Sequence, residues 1–278
     1  MKIDLFLHIG IRDELLIMPK VKSFDDVEIY YEINGEGFPV IMLPCVGASL
    51  EFWKFQEPLS KKYQLVLIDV AGHGKSGRSR EVHSYHSLAQ DVVTVIEKEE
   101  FNEVVIVGHS FGGVVAYEAA LALPKDVLKG LITIDSLMPL TYYYASVATE
   151  EEIKEEMKEY EGEYRENYDN LLRSIMGDRV DQETMDWFVS IAGYDQIGPD
   201  NLRDMVMQML LHDYHTIVDK VTCTKKYILK GLINPEYKEV VLKEQKGARF
   251  IADAGHMMNI EKPDEFNRVV DNLLQELI

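Results

Sequence analysis

Val104-Val-Ile-Val-Gly-His-Ser-Phe-Gly-Gly113 is an apolar run that stops at a serine boxed in by glycines. The β-branched residues from Val104 to Val107 predict a short buried strand, and Val114-Val-Ala-Tyr-Glu-Ala-Ala-Leu-Ala-Leu123 predicts a helix directly after the bend. Strand, tight turn and helix in that order are what a nucleophile elbow requires. The turn holds Ser110 in a strained backbone conformation. Gly108 and Gly112 serve where strand and helix cross, because a β-carbon there would collide. Ser110 is thereby expected at a cleft, with the amino terminus of the helix beneath it.

Working outward, Leu65 to Asp69 predicts a strand that ends in the glycine-rich loop Ala71-Gly-His-Gly-Lys-Ser-Gly77. Leu88, Val92, Val95 and Ile96 have helical spacing, and Leu131 to Ile134 predicts the strand after the elbow helix. Strands alternating with helices imply a mostly parallel sheet with helices on both faces. Right-handed crossovers then bring the carboxyl ends of successive strands to one edge, where open α/β sheets bind ligands. Asp69, Ser110 and Asp135 all fall at such ends. Upstream, Asp26 to Asn34 and Pro39 to Leu43 read as two strands about the turn Gly35-Glu-Gly37, which fits a hairpin at the sheet edge.

From Leu137 to about His215 the alternation stops, and a Glu-rich stretch gives way to helical segments near Leu171–Met176, Thr184–Ile191 and Leu202–Leu211. The chain therefore divides into an α/β core over 21–136 and 216–278, a helical insertion over 137–215, and an amino-terminal extension over 1–20. The acidic run reads as a solvated helix face. Met138, Tyr142, Trp187 and Met257 are candidates to line an apolar substrate pocket. Sheet sequence resumes at Lys226–Lys230 and Ala248–Ala252, and Pro263 opens a terminal amphipathic helix.

Composition narrows the function. The 278 residues carry 29 basic and 48 acidic side chains, for a net charge of −19, which would repel phosphate backbones and anionic membrane surfaces. Nucleic acid and membrane are not expected partners. With only two cysteines, Cys45 and Cys223, neither a disulfide framework nor a four-cysteine zinc site can be built. Asp4 interrupts the apolar amino terminus, Arg12, Asp13 and Glu14 close it, and no cleavage pattern of small residues follows. A cytoplasmic protein is expected.

A serine hydroxyl is a poor nucleophile at neutral pH and needs a base within reach, with a third group to orient that base. His256 is the best placed of the eight histidines, in a loop after a late strand and beside Gly255. His109 flanks the serine, but neighbours in a tight turn point apart, and His73 is expected to tie its glycine loop together. His83 with His86, and His212 with His215, have spacings compatible with metal ligation but lack further ligands in sequence, so no metal is expected.

Asp69-Val-Ala-Gly-His-Gly-Lys-Ser76, Gly108-His-Ser-Phe-Gly-Gly113 and Ala254-Gly-His256, in this order, resemble the α/β-hydrolase superfamily from about residue 26 to the end, the insertion excepted. The resemblance implies a Ser, acid, His triad and a helical cap. Many members carry the acid as Gly-x-x-Asp after the strand that here is Tyr227–Lys230, whereas this chain has Gly231-Leu-Ile-Asn234. A minority place it at the end of the strand following the nucleophile helix, which is Asp135. Asp135 is assigned on that ground, with Glu236, Asn234 and Asp253 as the alternatives. The resemblance also implies an oxyanion hole of two backbone amides, Phe111 after the nucleophile and Val46 in Pro44-Cys45-Val46-Gly47. It points to an esterase acting on a small, partly apolar ester without a cofactor. Lactone opening and carbon–carbon hydrolysis use the same apparatus, and a low-turnover ligand sensor on the same scaffold is the alternative of a different class.

Overall fold

The computed structural model describes residues 19–136, 164–198 and 214–278, together with 151, 201, 205 and 208. The expected pocket residues Met138 and Tyr142, and the helical segment expected over 202–211 apart from positions 205 and 208, lie outside the described residues. So does the extension, apart from its last two positions.

Eight strands form one sheet: β1 (Lys20–Lys22), β2 (Glu28–Asn34), β3 (Phe38–Leu43), β4 (Tyr63–Asp69), β5 (Val104–His109), β6 (Leu128–Ile134), β7 (Thr224–Lys230) and β8 (Arg249–Ile251), in the order β1-β2-β4-β3-β5-β6-β7-β8. From β4 through β8 every pairing is parallel, and β1 and β2 close one edge antiparallel. The α/β class is thus as expected, but the edge is not a β2–β3 hairpin. β2 pairs with β4, Tyr30 opposite Asp69 and Asn34 opposite Leu65, while β3 lies between β4 and β5. Burial explains the order. Val40, Ile41, Met42 and Leu43 are consecutive buried residues, which suits an interior strand covered on both faces, whereas β2 ends in Ile33 and Asn34, which are partly or fully exposed. The extra strand β1 falls where the sequence offers no period.

Helix α1 (Tyr85–Lys98) begins at Ser84, whose hydroxyl accepts the Ser87 N–H. It buries Leu88, Val92, Val95 and Ile96 beside α2 (Phe111–Ala122). Helix α2 is apolar nearly all round, as a helix between sheet and neighbours must be. Arg80, 4% exposed, ties the loop after β4 to both sides by bonding Asp25 and the fully buried Asp91.

Between β6 and β7 the described elements are helical: α3 (Tyr164–Met176), α4 (Gln182–Ala192), α5 (Tyr194–Ile197) and α6 (Tyr214–Lys220). They meet the loops at the carboxyl edge of the sheet. Ile191 O accepts the Ser49 N–H at 3.0 Å, and Phe188 lies 6.3 Å from Phe52 of the 3-10 stretch Leu50–Lys61. The chain closes with α7 (Pro235–Glu244), α8 (Met258–Glu261) and α9 (Pro263–Leu277), the last burying Phe266, Val270, Leu273 and Leu274. No helix among the described residues is long and apolar enough to cross a membrane.

Candidate active site

The elbow forms as its residue types require. Ser110 has φ 52° and ψ −115°, a conformation that costs a non-glycine residue of the order of 1–3 kcal/mol and persists only where its surroundings over-determine it. They do here. Ser110 N–H donates to Ile134 O at 2.8 Å, which extends the β5–β6 ladder, and Ser110 O accepts from Gly113 N–H and from the Ser136 hydroxyl. A β-carbon on Gly108 would run into the Gly112 carbonyl, and one on Gly112 into the carbonyls of Leu43 and Pro44. The elbow is wedged against the end of β3.

Asp135 follows β6 directly, also with positive φ (41°), and its N–H donates to Ile228 O at 2.8 Å. Its carboxylate oxygen Oδ2 lies 2.6 Å from His256 Nδ1, and its side chain is 9% exposed. Burial by itself would raise this carboxyl. The His256 hydrogen bond and charge, helped by Lys230, outweigh burial and hold it down at about 2. Ser110, Asp135 and His256 therefore share one edge of the sheet, the acid and the imidazole in direct contact. No hydrogen bond joins the Ser110 hydroxyl to His256, a gap usual in catalytic pairs before substrate binds.

His256 is held from two further directions. His109 lies under it, ring centroids 4.8 Å apart, and donates from Nε2 to the His256 carbonyl at 2.8 Å. Burial, then the neighbouring His256, depress His109 to about 3, which keeps this ring neutral. Glu261 of α8, its side chain fully buried, accepts the Gly255 N–H at 2.7 Å and Arg179 Nε at 2.8 Å with the same oxygen. Arg179 belongs to the helical insertion, so the insertion reaches the residue before His256. Sequence spacing placed His109 beside the serine but did not single out Glu261 or Arg179. The signals for Lys230 and His109 were their places at strand ends flanking Asp135 and Ser110.

The oxyanion candidates lie in the loop after β3 and at the first position of α2. Val46 is partly buried in the loop after β3, its carbonyl accepting from Tyr168 OH at 3.3 Å. The next amide, Gly47 N–H, is taken by His73 Nε2 at 3.1 Å, and His73 Nδ1 faces Ala71 O at 3.3 Å. Burial lowers His73 to about 4, so it stays a neutral brace between the two loops. Phe111 opens α2, its ring against Tyr85 and His73. Neither the Phe111 nor the Val46 N–H donates to a described residue.

Among the alternatives for the acid, Asn234 is exposed at the start of α7, where its carbonyl accepts Lys238 N–H, and Asp253 is exposed. The side chain of Glu236 lies outside the described residues. Trp187 is partly exposed, edge-on to Phe55 with Lys54 Nζ 4.8 Å from its ring, whereas Phe188 turns toward Phe52, which lies 5.0 Å from His109. Met257 is buried at 2% exposure. Among the described residues no group of three or more His, Cys, Asp or Glu side chains could hold a metal ion.

Comparison with known proteins agrees with this architecture. RutD of Azorhizobium caulinodans is 36% identical over 37% of this chain, a match spanning 39% of its own length. The esterase YbfF of Escherichia coli is 25% identical over 86% of this chain and 93% of its own. A thermophilic esterase from Thermogutta terrifontis superposes with a TM-score of 0.77 at 19% identity, covering 93% of this chain and 98% of that one, which speaks to the fold. A family model described as the alpha/beta hydrolase family matches residues 40–269. The chain belongs to the alpha/beta hydrolase family.

Proposed function

We propose that the chain is a carboxylic ester hydrolase acting through Ser110, His256 and Asp135. The observation that carries this reading is the 2.6 Å contact of Asp135 Oδ2 with His256 Nδ1, at the sheet edge where the elbow presents Ser110. The carboxylate fixes a proton on Nδ1, which leaves Nε2 with a lone pair to take the serine proton. Ser110 Oγ attacks the ester carbonyl, and the Phe111 and Val46 amides receive the oxyanion. His256 returns the proton to the leaving alcohol, and water activated by the same imidazole releases the acid. Nothing in this sequence of steps calls for a cofactor.

The helical insertion acts as a cap, with Phe188 and Met257 favouring a small, partly apolar substrate. Similarity to the esterase YbfF supports ester hydrolysis.

A fluorophosphonate probe tests the reading. Ser110 should label rapidly and stoichiometrically, with labelling lost in Ser110→Ala and His256→Ala. A panel of aryl esters and lactones then ranks substrates. Slow, substoichiometric labelling combined with tight ligand binding and no turnover would replace the enzyme with a sensor on the same scaffold.

A further inference from the structure

Asp135 has a second cationic neighbour. Lys230 Nζ lies 3.2 Å from Oδ2, the same oxygen that meets His256 Nδ1. The arrangement follows from the sheet. Ile134 pairs with Ile228, and Asp135 N–H donates to Ile228 O, so Asp135 lies against the end of β7. Side chains alternate along a strand, so Lys230 emerges on the same face as Ile228, at the last position of β7. Its side chain is 27% exposed, enough to keep the ammonium hydrated beside the acid.

The remaining charged and titratable groups around the pair are otherwise engaged. His109, from β5, is neutral and bonded to the His256 carbonyl. Glu261, from α8, is committed to Arg179 and Gly255 N–H, and Asp253, before the histidine, is exposed. Among the described residues Lys230 is therefore the one cation besides His256 in contact with Asp135.

Resting on the triad reading above, we propose that Lys230 is a positioning residue of the relay: by sharing Oδ2 with the imidazole it pins the carboxylate and competes for its charge, and so sets the pH below which His256 stops acting as a base. The ammonium and the imidazole lie within about 6 Å of each other, close enough for like charges to repel through a partly solvated gap. Lys230 thus weakens the hold of Asp135 on a protonated imidazole and keeps the base available at lower pH.

The test is Lys230→Met. The acid limb of kcat/KM should move up by about half to one pH unit, Lys230→Arg should restore it, and 0.5 M NaCl should narrow the gap between parent and Met variant. The imidazole NMR signal of His256, assigned by its loss in His256→Gln, should follow a pH curve displaced in the same direction. That signal is readable whether or not Ser110 is a nucleophile, so failure of the triad reading is separable from failure of this one. If Lys230→Met does not fold, Lys230→Gln carries the same expectation. A folded variant whose acid limb and imidazole curve coincide with the parent, with only kcat lowered, overturns the proposal.

Discussion

Arg179 and Glu261 form an ion pair whose partners stand in unequal surroundings, and the inequality predicts an asymmetry between two single variants. Glu261 has no exposed side-chain surface, whereas Arg179 is 31% exposed. In Glu261→Gln, the amide oxygen can take the place of Oε2 and still accept from both Gly255 N–H and Arg179 Nε. The amide nitrogen then falls at Oε1, which is buried and has no partner. Charge is lost and a buried NH2 replaces an oxygen that already lacked a partner, while the guanidinium can rehydrate, at a net cost of about 1 kcal/mol. Arg179→Met instead strands a buried carboxylate with one backbone donor, which costs about 3 kcal/mol, the lower end for a broken buried pair because the site opens toward water. For a chain of this size each kcal/mol moves Tm by roughly 2–4 °C, so calorimetry should find a drop of about 6–12 °C for Arg179→Met against about 2–4 °C for Glu261→Gln. The double variant should be more stable than Arg179→Met alone. Because Arg179 and Glu261 brace the residue before His256, fluorophosphonate labelling of folded Arg179→Met should slow about tenfold. Equal losses for the two single variants, or a double variant worse than either, would refute the reasoning.

Two further outcomes follow from the same geometry. Asp135→Asn should lower kcat/KM by about 10²–10⁴-fold at neutral pH while Asn234→Ala stays near the parent; steady-state kinetics that reverse the order would move the acid to the loop after β7. Acid should destabilise the fold from pH 6.5 downward. His73 and His109 are depressed to about 4 and about 3, so the unfolded chain takes protons the folded one refuses, about 3 kcal/mol for His73 once pH falls below its folded value. Asp135, held at about 2, adds a loss below pH 4, whereas Asp69, raised to about 6 by burial, opposes the slope between pH 4 and 6. Tm measured from pH 7.5 to 4 should fall and should fall less in His73→Gln; a flat profile counts against a buried neutral His73.

Local pattern was enough to read the strand, elbow and helix around Ser110, because they are consecutive in sequence and their glycines answer to steric needs within a few residues. The parallel class of the sheet followed from alternation. The sequence also narrowed the base to one loop and the acid to four candidates. Folding alone brings one of those candidates, Asp135, against His256, since that contact depends on β7 lying beside β6. It likewise inserted β3 between β4 and β5, a pairing that the short turn at Gly35–Gly37 hides. The electrostatic surroundings belong entirely to the tertiary structure. Lys230 reaches Asp135 from β7, His109 reaches His256 from β5, and Glu261 of α8 holds Gly255 with Arg179 from the inserted segment, and one-dimensional spacing has no term for groups that meet only when the sheet edge is assembled.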